Sequence, residues 1–168
     1  MAIGDSVKRV DGPSKVTGRA RYTDDTTMPG MRHARFVRAT VAHGVVRRVD
    51  ASKALALPGV EAVFTFEDVP QALFPTAGHP WHLDPGHRDV ADKLLLTRHV
   101  RFYGDELAVV VARDELTADT AAQLVAVEYD ELPMALTPKD ALDPGAAPLH
   151  PGGNLLKSHS FACGGDPE

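Results

Sequence analysis

Cysteine is nearly absent from this sequence of 168 residues, in which Cys163 is the only one. A single cysteine excludes an internal disulfide, and it excludes any zinc or iron–sulfur site built from several cysteines of this chain. Cys163 lies in Ala-Cys-Gly-Gly with no adjacent base, whereas a reactive thiolate needs a neighbour that stabilises its charge. We therefore expect an unreactive tail residue.

Long apolar runs are missing as well. None approaches the roughly 20 residues that cross a bilayer as a helix, and the first residues lack the charged-then-apolar order of a secretory signal. These observations predict a cytoplasmic location. The hydrophobic fraction of 43% is typical of a globular domain, and the length allows one domain with a substantial core.

Several motifs that carry chemistry are also missing. No serine lies in a Gly-x-Ser-x-Gly turn, and no Gly-x-Gly-x-x-Gly follows a predicted strand. The stretch GDSVKRVDGPSKVTGRARYTDD from Gly4 is rich in glycine and lysine, but it contains no Gly-Lys pair and no apolar helical face follows Lys15. Without a helix N-terminus the phosphate-binding interpretation fails. We assign no catalytic, cofactor-binding or metal-binding residue to this chain.

Charge is distributed unevenly along the chain, whose net charge is −5. Residues 1–50 contain ten Lys/Arg and five Asp/Glu, whereas the remaining residues contain eight and eighteen. Such an asymmetry indicates either a docking surface for an acidic partner or two parts of one fold that neutralise each other. The second arrangement is the more common.

The first part of the chain reads as a strand–helix–strand passage. We predict strands over 31–40 and 45–50, a helix over 50–59 and a strand over 60–66. Asp50 or Ser52 can accept hydrogen bonds from the first helical turn. In the last strand, Val60, Ala62 and Phe64 alternate and predict one half-buried face.

A second passage repeats this order. We predict a strand over 106–113 that is apolar on both faces, a helix over 114–125 and a strand over 125–133. Gly104 and Asp105 supply a turn before the first strand, and Asp114 or Thr117 can cap the helix. Two such passages predict an α+β fold, a mixed β-sheet with covering helices.

A long segment over 66–98 separates the two passages and contains three histidines, His79, His82 and His87. Asp84, Asp89 and Asp92 lie nearby in the sequence. Zinc or iron accepts imidazole and carboxylate ligands, but solvated histidines in a proline-braced loop explain the pattern as well. Both interpretations stay open here, and the first would make the chain a free-standing binding module for a metal or small ligand.

Two further groups of charged residues invite a functional interpretation. The carboxylates are Asp105, Glu106, Asp114 and Glu115, and the arginines are Arg32, Arg35, Arg38, Arg47 and Arg48. Turn and cap duties explain the carboxylates, which lie at the two ends of one predicted strand. The arginines predict no nucleic-acid surface, because in a strand Arg35 points to the opposite face from Arg32 and Arg38.

Three ordered stretches resemble the molybdenum hydroxylase family, which includes aldehyde oxidases and carbon monoxide dehydrogenase. They are RVDGPSKVTGRARYTDD, VRFYGDELAVVVARDELTADTAAQLVAVEYDELP and GGNLLKSHSFACGGDPE. Their order and spacing are similar to the opening of the molybdenum-binding large subunit of xanthine dehydrogenases, from about Val7 to the last residue. The resemblance implies the N-terminal α/β hammerhead domain of such a subunit.

The resemblance also implies that the reaction and electron transfer take place in parts of the enzyme other than this segment. In the complete enzyme, molybdopterin would serve hydroxylation of a purine or related heteroaromatic, and iron–sulfur clusters, FAD and NAD would take the electrons. Those cofactors are expected in other domains or subunits, which would be the partners of this chain, and none is expected in this segment. No nucleic acid or membrane partner is expected.

The same reading predicts three parts of the chain. Residues 1–30 are expected to form an extended N-terminal arm, in which Gly12-Pro13 and Gly18 make turns. Residues 31–142 are expected to form the hammerhead domain, and 143–168 a Pro/Gly-rich connector toward a cofactor-binding region. Without that region, residues 1–20 are expected to be mobile or to pack against a neighbouring molecule.

Overall fold

In a computed structural model, the structure describes Gly4 and residues 6–75 and 89–155. The chain divides into two compact units, Met1–Met31 and Arg32–Glu168. The elements are α1 (Gly12–Val16), a 3₁₀ turn (Thr23–Asp25), β1 (His33–Arg38), β2 (Gly44–Asp50), α2 (Ser52–Leu55), β3 (Val60–Thr65), β4 (Phe74–Pro75), β5 (Ala91–Lys93), β6 (His99–Val100), β7 (Glu106–Ala112), α3 (Glu115–Leu124), β8 (Ala126–Glu131) and α4 (Pro138–Ala141). No helix among the described residues is long and apolar enough to cross a membrane.

The strands form two three-stranded sheets and a short two-stranded ribbon. The first sheet has the order β1-β7-β3, the second has the order β6-β2-β8, and β4 pairs with β5. Every strand pair in the described residues is antiparallel. The α+β class with two strand–helix–strand passages is confirmed, but the prediction of one mixed sheet is wrong in this detail.

The sheets contain no parallel pair among the described strands because each strand–helix–strand passage connects one sheet to the other. The passage β2–α2–β3 leaves the second sheet and enters the first, whereas β7–α3–β8 runs from the first sheet to the second. The two strands that flank a helix are therefore never neighbours in one sheet. Only a crossover within a single sheet would have produced a parallel pair.

The helices differ from their predictions mainly in length. α3 begins one residue after Asp114, whose side chain accepts a hydrogen bond from the Thr117 N–H at 2.8 Å, so Asp114 is the N-cap. The predicted two-turn helix over 50–59 is a single turn, α2, before which Asp50 accepts from the Ser52 N–H at 3.0 Å. α4 was missed, although Thr137, with Pro138 at the start of the helix and Asp140 in a capping box, is a sequence signal for a helix start.

Two apolar clusters hold the second unit together. The first joins the first sheet to α2 and α3 and contains Val37, Ala54, Ala108, Val110, Ala121 and Val125. The second joins the two sheets and contains Ala39, Val46, Val100 and Leu107. The buried residues of α3 are alanines, Ala118 and Ala121, and such small side chains let a helix backbone approach the sheet closely.

β3 contradicts the predicted alternation. Its pairing with β7 shifts register between Val60 and Ala62, which is a β-bulge. The bulge changes which residues face α2 and α3, so Val60 and Val63 pack against the first core while Phe64 is exposed. A strict period of two cannot locate such an extra residue.

The first unit contains a short helix rather than a fully extended chain. α1 carries a proline at its start, and Asp11 lies 2.5 Å from the Lys15 ammonium and 3.0 Å from the Arg9 guanidinium. Gly18 has φ +69°, a left-handed conformation that suits the predicted turn. Lys15 is thus held by a carboxylate, as a phosphate-binding lysine is not.

Candidate functional site

An ionic cluster at the start of β7 contains Asp105, the most buried carboxylate among the described residues. Lys93 Nζ on β5 lies 2.5 Å from Glu106 Oε2 and 3.4 Å from Asp105 Oδ1. Glu106 Oε1 also pairs with Arg38 Nη1 on β1 at 2.5 Å. The sign of charge alternates through the group, so two cations balance two carboxylates. We call these four residues the β7 ionic cluster.

Asp105 organises the turn that leads into β7. Its carboxylate is 2% exposed and accepts from the backbone N–H groups of Arg101 and Glu106 at 3.1 and 3.2 Å. Gly104 precedes it with φ +94°, which a residue with a side chain rarely adopts. The predicted turn duty of Asp105 is confirmed, and its contact with Lys93 adds an electrostatic role that the sequence did not indicate.

Glu106 is poorly suited to move protons near neutral pH. Burial alone would raise its pKa, but the hydrogen bonds from Lys93 and Arg38 together with their positive charges outweigh it and lower the pKa. A general acid or base works best with a pKa near the working pH. The geometry therefore makes Glu106 an anchor for β1, β5 and β7 rather than a catalytic group.

A histidine pair links the second sheet to the segment after β8. His43 Nδ1 lies 2.6 Å from the Pro133 carbonyl oxygen, and its Nε2 lies 3.2 Å from His99 Nε2. Because the carbonyl can only accept, neutral His43 donates from Nδ1 and accepts at Nε2 from His99. Burial is the largest cause that lowers the pKa of His99, and a lowered pKa favours a neutral His99 in this arrangement.

Arg101 extends the polar network beside this pair. Its Nη1 lies 3.5 Å from Asp92 Oδ2 and 2.9 Å from His150 Nδ1. Burial first, and then the Arg101 charge, lower the pKa of His150, so a neutral imidazole can accept from the guanidinium. His43, His99, Arg101 and His150 were all missed from the sequence, since they come from three separated segments and no local motif joins them.

The histidines that the sequence did single out lie outside the described residues. These histidines are His79, His82 and His87. Asp84 and Cys163, which the sequence analysis also considered, lie outside the described residues too. Asp92 is described and pairs with Arg101. Among the residues that the structure describes, no three His, Cys, Asp or Glu side chains are placed to hold a metal ion. The metal-loop hypothesis therefore stays a prediction.

The arginines pair with carboxylates instead of forming a basic stripe. Arg32 pairs with Glu61, Arg35 with Asp119, Arg38 with Glu106, Arg47 with Glu128 and Arg48 with Asp50. Most of these acidic partners lie beyond residue 50, so within the second unit the arginines over 32–48 are neutralised mainly by the acidic remainder. That was the more common of the two arrangements expected from the charge distribution.

A cleft of about 510 Å³ opens between β1, α3 and β8. Its walls include Arg35, Phe36, Gln123, Val127 and Tyr129. Arg35 and Asp119, which face each other across it, form an ion pair. The walls thus mix apolar side chains with the polar Thr40, Gln123 and Tyr129, and Asp119 neutralises the charge of Arg35. An open cleft of this mixed character does not by itself define a small-molecule site.

Comparison with known proteins gives the family. The family model described as "Aldehyde oxidase and xanthine dehydrogenase, a/b hammerhead domain" matches residues 17–133. The chain belongs to this family. The matched range contains both three-stranded sheets and α3, and the fold class inferred from the sequence agrees with it.

Relatives of the hammerhead chain are subunits of oxidoreductases. The xanthine dehydrogenase molybdenum-binding subunit of Escherichia coli O157:H7 is 58% identical over 156 residues, which are 93% of this chain and 21% of that protein. The carbon monoxide dehydrogenase large chain of Hydrogenophaga pseudoflava is 43% identical over 80% of this chain and 16% of that protein. The chain therefore spans about a fifth of the length of the curated relatives it matches.

A solved structure supports the same fold. Quinoline 2-oxidoreductase from Pseudomonas putida 86 superposes with a TM-score of 0.72 at 37% identity, over 88% of this chain and 18% of that chain. The architecture of two antiparallel sheets with α3 against one of them is thus shared with a member of the family that has been solved. The recognition made from the three sequence stretches is confirmed.

Proposed function

We propose that this chain is the hammerhead part of the molybdenum-binding subunit of a xanthine dehydrogenase-like enzyme. The observation that carries the proposal is the 58% identity to the Escherichia coli subunit over 93% of the chain. The complete enzyme would hydroxylate a purine or related heteroaromatic with oxygen from water. Its electrons would pass through iron–sulfur clusters and FAD to NAD, in partner domains or subunits in the cytoplasm.

The described residues do not fit a seat for molybdenum. They bring no three metal-ligating side chains together, and their most buried carboxylates are engaged by Lys93 and Arg38. We therefore derive no step of the reaction through the metal from these residues. The cofactor would be held by parts of the subunit beyond this chain.

The role of this chain in the proposal is structural. The β7 ionic cluster ties β1, β5 and β7 together, and the Asp114 cap fixes the start of α3. Both features position backbone rather than substrate. Residues 1–30 as the arm, 31–142 as the hammerhead domain and 143–168 as the connector belong to the same proposal, and the division of the chain after Met31 supports the first boundary.

The test uses the complete reading frame that contains this sequence. We expect its purified product, with its partner subunits, to contain molybdenum and to reduce a dye in the presence of xanthine. The 168-residue chain alone should show neither property. Xanthine-dependent dye reduction by the short chain, or a molybdenum-free and inactive complete product, would contradict the proposal. Zinc stoichiometry of the untagged short chain tests the alternative, a binding module built on residues 66–98.

A further inference from the structure

One face of the first sheet is apolar, and no element of the residues that the structure describes packs on most of it. On β7, Ala108 and Val110 point into the first core beneath α2 and α3. Side chains alternate along a strand, so Val109 and Val111 point to the opposite side, where both are only half-buried. β7 is the central strand, and this second side is therefore the middle of a sheet surface.

Strand register extends the apolar surface across all three strands. Phe36 on β1 and Phe64 on β3 are both paired with Val109, so the three side chains form one row. The two rings are 40% and 41% exposed. Ala34 and Ala62 flank Val111 in the next row. We call Ala34, Phe36, Ala62, Phe64, Val109 and Val111 the open face.

The open face continues a buried core. Leu107 lies on the same side of β7 as Val109, and it is fully buried against Val46 and Val100 of the second sheet. The second sheet thus covers one end of this side and leaves the other end to solvent. Antiparallel sheets that face water normally present polar residues there, whereas this surface presents six apolar ones, which is typical of an interaction site.

We infer that the open face docks against an apolar surface of the same subunit, which the part outside residues 1–168 supplies. This inference rests on the proposed function. The length of the relatives argues for this occupant: this chain matches only 21% of the Escherichia coli subunit, so about four-fifths of such a protein is available to cover the face. Burying two phenylalanine rings there is the kind of contact that anchors domains to one another.

Pairing with a second copy along the β1 edge is disfavoured. The edge of the open face is β1, and if two β1 strands paired antiparallel about Phe36 and Val37, Arg35 of one copy would lie opposite Arg38 of the other. Like charges directly opposite destabilise a strand pair, and charged edge strands are a common defence against self-association. Arg38 also lies over the Phe36 ring at 5.6 Å, which places a cation at the rim of the open face.

Hydroxyl-radical footprinting with mass spectrometry tests the inference on unmodified protein. The oxidation rates of Phe36 and Phe64 are measured in the 168-residue chain, kept dilute and monomeric, and in the complete subunit. We expect both rates to fall about tenfold or more in the complete subunit, because interface cores pack as densely as protein interiors. A free reporter peptide added equally to both samples measures the radical dose to which the rates are normalised.

Three results would overturn the inference. Equal ring oxidation in both proteins would mean that the remainder of the subunit leaves the face uncovered. Rings protected in the short chain at every dilution would mean that a segment of the chain itself covers them. Protection that appears only as the short chain dimerises would assign the face to a second copy. Xanthine-dependent dye reduction is assayed separately on the complete subunit, so loss of activity with protected rings rejects the proposed function alone.

Discussion

The two sides of β7 show how little a side chain's identity decides its burial. Val110 is fully buried against α2 and α3, whereas Val109, the same residue one position earlier, lies half-exposed between two phenylalanines. Helices α2 and α3 cover the first side, whereas the residues described in the structure cover only the end of the second side that holds Leu107. Hydrophobic residues on both faces of a strand thus predict two partners, of which the described residues contain one.

The largest expected loss of stability comes from removing Lys93, because its ion pairs lie at the start of β7, the strand that carries both faces. In Lys93→Met, Glu106 keeps Arg38 and Asp105 keeps its two backbone N–H donors, but both carboxylates lose the Lys93 cation. We expect the free energy of unfolding to fall by about 3 kcal/mol, because removing one partner from a buried ionic group is costly. Urea denaturation at neutral pH measures the change. Lys139→Met on the exposed α4 is the control, with an expected change within about 0.5 kcal/mol. Equal effects would mean that the β7 ionic cluster contributes nothing.

Two matched variants of β7 compare how much the buried face and the open face of this strand contribute to the free energy of unfolding. Val110→Ala removes buried methyl groups and leaves a cavity, so we expect a loss of about 2–3 kcal/mol in the short chain. Val109→Ala should cost less than about 1 kcal/mol, because its side chain is already partly in water. If urea denaturation gives the same loss for both, the open face is covered within the chain itself.

Sequence reasoning recovered the elements better than their arrangement. The strand over 106–113 was predicted to be apolar on both faces and central, and β7 has both properties. The N-cap at Asp114 was among the predicted caps because Asp there is a local signal. By contrast, the inward residues of β3 were predicted wrongly, since the bulge at Val60 depends on pairing with a strand some 50 residues away in the chain.

The candidate site was less predictable than the fold. Asp105 was assigned to a turn, but its partner Lys93 comes from β5, and no spacing rule connects the two. His43 and His99 meet only because β2 pairs with β6. Polar networks between distant segments are products of tertiary structure, whereas local motifs report only on neighbours in the sequence.

Gly59, in the turn between α2 and β3, allows a variant with a smaller expected effect on the stability of the helix-covered face of the first sheet. Gly59 has φ +97°, and a Cβ there would lie 2.7 Å from Arg113 Nε. We expect Gly59→Ala to lower the free energy of unfolding by about 1–2 kcal/mol through the left-handed backbone alone. Gly152→Ala is the matched control, because open space surrounds that position and its φ is not positive. A neutral Gly59→Ala variant would show that the link relaxes freely.

The open side can be altered with little loss of stability. In the double variant Phe36→Thr and Phe64→Thr, threonine keeps a high strand propensity, and we expect the fluorescence of a bound apolar dye to fall about twofold or more as the exposed patch shrinks. Leu116→Gln, an exposed helix position, should leave the dye signal unchanged. Dye fluorescence that persists in the double variant would place the binding surface elsewhere on the chain.

The smallest effect concerns the cap of the helix that covers the first side. Hydrogen bonds from Thr117, followed by the one from Arg113, lower the pKa of Asp114 from 3.8 to about 2. A lowered folded-state pKa means that the stabilisation is complete above the unfolded value and is lost as the pH falls from about 4 through about 2. Asp114→Asn keeps a capping oxygen but does not titrate there.

We therefore expect wild type to exceed Asp114→Asn in stability at neutral pH and the two to converge between pH 4 and pH 2 in urea denaturation. The comparison with asparagine separates this one carboxylate from the other groups that titrate over the same range. A difference that stays constant down to pH 2 would mean that the charge of Asp114 does not contribute to the cap. In that case the helix that covers the first side depends on the uncharged capping hydrogen bond and on its packing in the first core, and the charge of Asp114 plays no part in the contrast with the open side.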